Sequence, residues 1–130
     1  MTLNDPLSNV LSNILNAEKV GKKEYTANIS SKMILKVLGI MRDNRYIGEF
    51  KETEYGNKSR IHINLLGKIN KCSAIKPRFS IKIKDMEKYE KRYLPAKDFG
   101  IIILSTNKGL ITHKEAKEQG KGGRLISYIY

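Results

Sequence analysis

Two segments in the first half of the chain repeat apolar residues at the spacing of an amphipathic helix. The first follows Asp5-Pro6, a pair that suits a helix cap and a first helical residue, and it stops at Gly21. The second follows Ser30 and Ser31, which can cap a helix, and Asn44 is a suitable end. The predicted apolar stripes are Leu7, Val10, Leu11, Ile14 and Leu15 in the first helix and Ile34, Val37, Leu38 and Met41 in the second.

Three further segments of the first half are predicted to be strands. Residues 25–29 form a short candidate, residues 46–55 suit an extended chain that ends at a Gly56-Asn57 turn, and residues 60–66 place an apolar side chain at every second position. The predicted order is helix, strand, helix, strand, strand. A two-layer arrangement with both helices on one face of the sheet would bury these apolar stripes.

The next part of the chain is predicted to join two subdomains. Residues 67–77 have little periodicity, so the chain divides into an N-terminal α/β subdomain, residues 1–67, and a C-terminal β-rich subdomain, residues 68–130. Beyond the joint, residues 78–84 alternate apolar and mostly basic side chains, which predicts a strand with a basic face. The charged residues 85–93 suit a short helix.

The remaining elements are predicted from an apolar run and from turn residues. Ile101–Leu104 has the length and the β-branching of a buried strand. Thr112 and Glu115 fit a capping box that opens a brief helix, which Gly120 ends. A last strand is predicted for Arg124–Tyr130. The fold class is therefore α+β, with a second half that is mostly β and has short helices.

The net charge says more about the class of binding partner than the rest of the composition does. The 130 residues are 40% hydrophobic, enough for a core, but the formal net charge is +12. Residues 1–65 carry 10 Lys and Arg against 7 Asp and Glu, whereas residues 66–130 carry 15 against 6. Because a net charge of about 2–8 suffices for solubility, the second half is the candidate surface for an anionic partner. A merely solubilising surface is the alternative.

The chain offers no signal for oxidative folding, a membrane or secretion. Cys72 is the single cysteine, so no intrachain disulfide can form, which suits a reducing cytosol. No apolar run approaches the ~18–20 residues of a membrane span, and the N-terminus lacks the basic-then-apolar order of a signal peptide. We therefore expect a cytoplasmic protein without a membrane partner.

Signals for catalysis or metal binding are weak. His62 and His113 lie on different predicted elements, and neither stands at a metal-ligand spacing. The segment Gly120–Gly123 is not a P-loop, because no strand leads into it and no Lys-Ser/Thr pair follows. A nuclease or an RNA-modifying enzyme would explain the charge, but its acid–base or metal residues are not found. We expect no enzymatic activity, no catalytic residue, no metal and no cofactor.

The densest polar segment is the turn that follows the buried strand. It carries two hydroxyls, an amide, a cation and a glycine, from Ser105, Thr106, Asn107, Lys108 and Gly109. Hydroxyls and amides both donate and accept, so they can bond base edges and ribose 2′-hydroxyls, which a lysine cannot. The glycine permits positive φ and the close approach of a ligand. From the residues alone, an RNA contact and a hairpin turn without a partner are both open.

Two other groups of residues suit phosphate contacts: Arg78, Lys82 and Lys84 on the predicted basic strand face, and Gly122, Gly123 and Arg124 before the last strand. The three basic side chains can line a phosphate track, or they form a charged outer face without a partner. The two glycines can admit a phosphate to backbone amides, and the arginine can bond a phosphate or a base through two N–H groups. A plain glycine turn that enters an end strand is the other interpretation of Gly122.

The starts of the two predicted helices are further candidates for a phosphate. Thr2 and Asn4 flank the first helix start, where the helix dipole attracts anions. Asp5 opposes an anion at this point, so simple capping is the stronger interpretation there. Lys32, near the start of the second helix, is the better phosphate candidate.

The stretches STNKGLITHKEA and KGGRLISYIY resemble the closing half of the universal small-subunit ribosomal protein eight family. In that family a Ser-Thr-x-x-Gly turn, a short Glu-Ala helix and a Gly-Gly strand terminus recur in this order. The resemblance covers nearly the whole chain, because residues 5–17 look like the first helix of the family. Gly48–Phe50 and Asn70–Phe79 resemble its archaeal and eukaryotic branch. The bacterial branch typically has serine where this chain has Asn107.

The resemblance implies a structural protein of the small ribosomal subunit, located in the cytoplasm. It would bind the central domain of small-subunit ribosomal RNA, at a helix with an irregular internal loop, and promote its assembly. Neighbouring small-subunit ribosomal proteins are the other implied partners, and residues 125–130 are a candidate surface for one. In the family the same face can bind an mRNA hairpin of its own operon, so translational repression is the alternative function. The resemblance also implies RNA contacts for the polar turn, for Gly123 and for Arg124.

Overall fold

The computed structural model describes residues 6–28, 31–56, 58–76, 78–96 and 99–130. The chain forms two compact units, Met1–Asn70 and Lys71–Tyr130. Within the described residues there are four α-helices and eight strands, and all of the strand pairs are antiparallel. The α+β fold class predicted from the sequence is confirmed.

The first unit has the predicted order of elements. They are α1 (Pro6–Lys19), β1 (Glu24–Ala27), α2 (Lys32–Asp43), β2 (Ile47–Tyr55) and β3 (Lys58–Leu65). The three strands form one sheet in the order β1-β3-β2. Helix α1 contacts α2 and β1, and α2 contacts β2. Together with the burial of only one face of β3, these contacts fit the predicted two-layer arrangement. The end of the first predicted strand, Ile29, lies outside the described residues.

Local capping and apolar periodicity account for these elements. The Ser31 hydroxyl accepts a 3.2 Å hydrogen bond from the Ile34 N–H, and α2 ends at Asn44, as predicted. On β3, Ile61 and Ile63 are fully buried while His62 and Asn64 are exposed, which confirms the alternation. Four members of the first stripe are buried and the fifth, Leu15, is half-buried, while Ala17 is a further buried residue of this helix.

The second unit contains β4 (Cys72–Ala74), β5 (Ser80–Ile81), α3 (Met86–Tyr93), β6 (Ile101–Thr106), β7 (Gly109–Thr112), α4 (His113–Gln119) and β8 (Gly123–Ile129). Its sheet has the order β4-β8-β6-β7, and β5 also pairs with β8. The Thr112 hydroxyl accepts from the Glu115 N–H at 3.3 Å, as the predicted cap of α4 requires. Helix α4 ends at Gly120 in the left-handed conformation, with φ +66°.

One prediction for the start of this unit was wrong. The division between the two units falls within the expected joint, and the joint also contains β4, which pairs with Ser127–Ile129 and buries Cys72. The expected strand over residues 78–84 is a strand only at Ser80–Ile81, after which Ile83–Asp85 form a 3-10 turn. Ile83, predicted to lie on the apolar face, is 36% exposed. Because β5 pairs only with the first two residues of β8, it cannot extend further along the sheet.

The last strand lies in the interior of its sheet. Strand β8 pairs with β4 and β5 on one side and with β6 on the other. Its side chains Leu125, Ile126 and Ile129 are buried. The predicted last strand is therefore present, and these apolar side chains stabilise the core of the unit. A contact between residues 125–130 and a neighbouring protein stays a prediction.

His113 has a structural role in this unit. It is 3% exposed, and its Nδ1 accepts a 3.0 Å hydrogen bond from the Ile102 N–H. A ring nitrogen that accepts a hydrogen bond carries no proton, so the other nitrogen, Nε2, holds it. Nε2 lies 3.9 Å from Glu90, whose carboxylate also pairs with Lys117. The described residues contain no group of acidic, histidine or cysteine side chains suited to a metal ion.

Candidate nucleic-acid interface

A two-residue turn joins β6 to β7. Thr106 at the end of β6 pairs with Gly109 at the start of β7, so Asn107 and Lys108 form the loop between them. Gly109 has φ +121°, which confirms the positive φ expected of this glycine. Ser105 lies within β6 and not in the turn. The polar segment is thus a tight hairpin end whose backbone is defined by strand pairing.

The Thr106 hydroxyl holds this hairpin end together. It donates a hydrogen bond of 2.9 Å to the Gly109 carbonyl oxygen and accepts one of 3.2 Å from the Lys108 N–H. A hydroxyl has one proton and two lone pairs. Towards a ligand, Thr106 can therefore act only as an acceptor while the turn keeps this geometry. The Asn107 and Lys108 side chains are exposed, and Ser105 is half-buried.

Strand register brings the turn beside the Gly-Gly segment. Ser105 pairs with Leu110 on one side and with Arg124 on the other. Arg124 in turn pairs with Ser80 of β5. The ends of β5, β6 and β8 therefore meet, and they carry two hydroxyl side chains and a guanidinium to the same place.

Close packing of the backbone explains both glycines. A Cβ atom on Gly123 would lie 2.7 Å from the Ser105 carbonyl oxygen and 3.2 Å from Cγ2 of Thr106. A Cβ atom on Gly122 would collide with the Ile81 carbonyl oxygen and lie 3.0 Å from Cα of Lys82. Glycine is required here to let protein segments approach each other, a reason that the residue pattern alone does not reveal.

These elements surround one groove of about 690 Å³, lined by Ser80, Ser105, Thr106, Asn107, Lys108, Lys121, Gly122, Gly123 and Arg124. None of these described lining residues is acidic. Seven of them were candidates from the sequence, whereas Ser80 and Lys121 were missed. Lys121 could have been found from its sequence position, because it directly precedes the candidate segment Gly122–Arg124. Nothing local singled out Ser80, which reaches the groove through its pairing with β8.

Among the described residues that line the groove there are two lysines, and one influences the protonation of the other. The neighbouring Lys108 side chain and, after it, desolvation by burial lower the pKa of Lys121. The groove therefore combines neutral hydrogen-bonding groups with a concentrated positive charge.

The other predicted basic residues do not share one strand face. Arg78 is half-buried and precedes β5, Lys82 is exposed and follows it, and Lys84 is exposed within the 3-10 turn. The prediction of a continuous basic strand was wrong because the chain leaves the sheet after Ile81. Lys82 and Lys84 nevertheless remain exposed cations of the second unit.

Of the candidates at the two helix starts, one lies in the first unit and two lie outside the described residues. Lys32 is the exposed first residue of α2. Thr2 and Asn4 lie outside the described residues, so their assignment stays a prediction.

Comparison with known families decides the class of the protein. The family model described as "Ribosomal protein S8" matches residues 5–130. The chain belongs to the ribosomal protein S8 family. This confirms the family indicated by the sequence, and it makes the protein a structural component of the small ribosomal subunit that binds ribosomal RNA.

Membership of the S8 family also answers the question of catalysis. The family is structural, so the protein is not an enzyme, as expected from the sequence. Its partners are small-subunit ribosomal RNA and ribosomal proteins, and its location is the ribosome. Among the described residues, no helix has the length and apolar character needed to span a membrane.

Proposed function

We propose that the protein binds the central domain of small-subunit ribosomal RNA directly through the groove at the ends of β5, β6 and β8. The observation that carries this proposal is the make-up of the groove. Its described lining joins hydroxyl and amide side chains to three cations, Lys108, Lys121 and Arg124, and includes no carboxylate. A negatively charged polymer with hydrogen-bonding groups along its edge is the ligand that suits such a surface.

In this proposal the neutral and the charged groups have different tasks. Ser105, Thr106 and Asn107 bond ribose hydroxyls and base edges in the shallow minor groove of an irregular internal loop. Thr106 accepts, because its proton is already donated to Gly109. Lys108, Lys121 and Arg124 hold phosphates, and these contacts add affinity but do not distinguish one RNA sequence from another. The strand pairing behind the groove keeps these groups in place before the RNA arrives, which favours specific hydrogen bonding.

We further propose that binding promotes assembly of the subunit in the cytoplasm. A protein that binds one shape of the RNA more tightly shifts the RNA towards that shape. Arg78, Lys82 and Lys84 in the second unit and Lys32 in the first are proposed to hold additional phosphates, as are Thr2 and Asn4. The RNA-specific contacts are assigned to the C-terminal subdomain, residues 68–130, and the N-terminal subdomain, residues 1–67, adds phosphate contacts.

We also propose that the protein belongs to the archaeal and eukaryotic branch of the family. Gly48–Phe50 and Asn70–Phe79 support it, as does asparagine at position 107. A second function, repression of its own operon mRNA, would use the same groove, because any RNA with the same irregular helix presents the same groups. Competition between the ribosomal RNA fragment and the mRNA hairpin for the groove would test this alternative.

The experiment that tests the main proposal compares two RNAs of equal length. One is a transcript of the small-subunit central domain, and the other is a regular duplex with the same number of phosphates. We expect the central-domain transcript to bind at least about tenfold more tightly, which corresponds to ~1.4 kcal/mol. Ultraviolet cross-links to it should lie in the peptides that contain Ser105–Lys108 and Lys121–Arg124. Equal affinity for both RNAs, or cross-links elsewhere only, would contradict the proposed site.

A further inference from the structure

We infer that Lys108 and Lys121 together bind a single phosphate of the RNA backbone, which makes Lys121 a further RNA-binding residue of the groove. The inference rests on the proposed function and specifies one contact within it. The two lysines are separated by twelve intervening residues of the chain and come from different elements, yet both line the same groove.

The backbone at Lys108 is held in position by the hairpin end. Its N–H donates to the Thr106 hydroxyl at 3.2 Å, and the same hydroxyl donates to the Gly109 carbonyl oxygen. The paired residues on either side belong to β6 and β7. Because the loop has only two residues, the position from which the lysine side chain extends is defined.

The backbone at Lys121 is held by the end of α4. Gly120 adopts the left-handed conformation, its N–H donates to Lys117, and the Lys121 N–H donates to the Ala116 carbonyl oxygen at 3.0 Å. This pattern of two hydrogen bonds is a helix-terminating motif. On its other side, Gly122 packs tightly against the backbone of Ile81 and Lys82. The backbone from which the Lys121 side chain extends is therefore fixed.

Two cations that extend from fixed backbone positions into the same groove favour an anion between them. The neighbouring Lys108 lowers the pKa of Lys121, which reports that the two groups interact in the free protein. None of the described residues that line the groove is acidic, so no carboxylate of the lining separates the two ammonium groups. A phosphate placed between them would remove the repulsion and gain two charge-assisted hydrogen bonds.

RNA is the anionic partner that the rest of the groove supports. Beside the lysine pair, the lining supplies Ser105, Asn107 and Arg124, which can contact the riboses and bases that adjoin a backbone phosphate. Both lysines therefore bind the polymer next to the groups that recognise it. A carboxylate from another protein would use the lysine pair but not these neutral groups.

The first part of the test examines the pair in the free protein. Lysine side chains labelled with ¹³C and ¹⁵N allow the pKa of each ammonium group to be followed by NMR in the parent, in Lys108→Gln and in Lys114→Gln. Lys114 is exposed on α4 outside the groove and serves as the matched control. We expect Lys108→Gln to raise the pKa of Lys121 towards its ordinary value, and Lys114→Gln to leave it unchanged. An unchanged Lys121 pKa in Lys108→Gln would overturn the pairing.

The second part measures binding of the central-domain transcript as a function of salt concentration. Each phosphate contact contributes about 0.7–0.9 to the slope of log K against log[salt]. If the lysines share one phosphate, the Lys108→Gln/Lys121→Gln double variant should lose about one such increment, and each single variant should lose less. Loss of about two increments means separate phosphates and overturns the shared site. A double variant that behaves like Lys114→Gln overturns any role of the pair.

The outcomes separate this inference from the proposed function. If the parent prefers the central-domain transcript and the double variant matches the control, the proposed function stands and the lysine pair fails. If the parent shows no preference over a regular duplex, the proposed function fails, and the phosphate assignment fails with it, whatever the free-protein NMR shows. Circular dichroism melts of all variants serve as the folding control, since neither lysine belongs to the buried core.

Discussion

The Thr106 hydroxyl donates its proton to the Gly109 carbonyl oxygen, 2.9 Å away across the β6–β7 hairpin end. It accepts a second hydrogen bond from the Lys108 N–H. A side chain that suits RNA recognition by its chemistry therefore also stabilises the protein turn. Substitutions at Thr106 must be interpreted with both roles in view, which calls for a variant that keeps the hydroxyl.

We expect Thr106→Val to lower the free energy of unfolding by about 0.5–1.5 kcal/mol, because the turn loses its side-chain hydrogen bonds while a branched side chain remains. Binding of the central-domain transcript should weaken by roughly 1–3 kcal/mol, with little change in the salt slope. Thr106→Ser keeps the hydroxyl and should retain most of both quantities. Urea unfolding and filter binding measure them. If Thr106→Val binds as tightly as the parent, Thr106 serves the turn alone.

The same change, glycine to alanine, should have opposite effects on the free energy of unfolding at two positions of the chain. Gly123→Ala places Cβ 2.7 Å from the Ser105 carbonyl oxygen, so the junction of β6 and β8 must shift. We expect a loss of about 1–3 kcal/mol in the free energy of unfolding. Gly39→Ala meets no atom within 4 Å and lies inside α2, so it should stabilise by roughly 0.5–1 kcal/mol. Thermal unfolding of both variants checks the sign, and a stable Gly123→Ala would refute the close approach.

Removal of the buried imidazole should destabilise the second unit. His113→Leu leaves the Ile102 N–H without its acceptor in the core, which costs about 1–3 kcal/mol. The matched variant His62→Leu changes an exposed side chain on β3, and we expect a change within about 0.5 kcal/mol. Chemical denaturation measures both. Equal effects of the two variants would contradict the structural role of His113.

The two exposed lysines after β5 should contribute unequally to RNA binding. Lys82 directly follows the strand that contributes to the groove, whereas Lys84 lies in the 3-10 turn that leaves the sheet. Lys82→Ala should reduce the salt slope by about 0.7–0.9 and weaken specific and generic RNA alike. Lys84→Ala should have a smaller effect. Salt titrations of binding for each variant decide this, and equal losses would contradict a larger contribution from Lys82.

Local pattern alone was enough to predict the larger elements and the class of the protein. The apolar stripe of α2 and its ends at Ser31 and Asn44 were predicted because capping and helical periodicity act over a few residues. The alternation on β3 was predicted for the same reason, since each side chain alternates between the two faces of a strand. The turn and the Gly-Gly segment indicated the S8 family, because their residues and spacing recur there.

Tertiary pairing decided the elements whose partners are distant in sequence. Strand β4 has three residues and exists because Cys72–Ala74 pair with Ser127–Ile129. The segment after Ile81 alternates like a strand, yet it turns away because Ile81 already pairs with Gly123, the first residue of β8. Neither result follows from periodicity, since a short strand depends on the hydrogen-bonding edge that the rest of the fold presents to it.

The composition of the groove combines both kinds of information. The sequence identified the polar turn and Gly122–Arg124 by their chemistry, but it could not bring Lys121 beside Lys108 or Ser80 beside Arg124. Those neighbours result from the end of α4 and from the pairing of β5 with β8. Residue types are a local property that a sequence displays directly, whereas the distance between two side chains from separate elements is set by the packing of the whole unit.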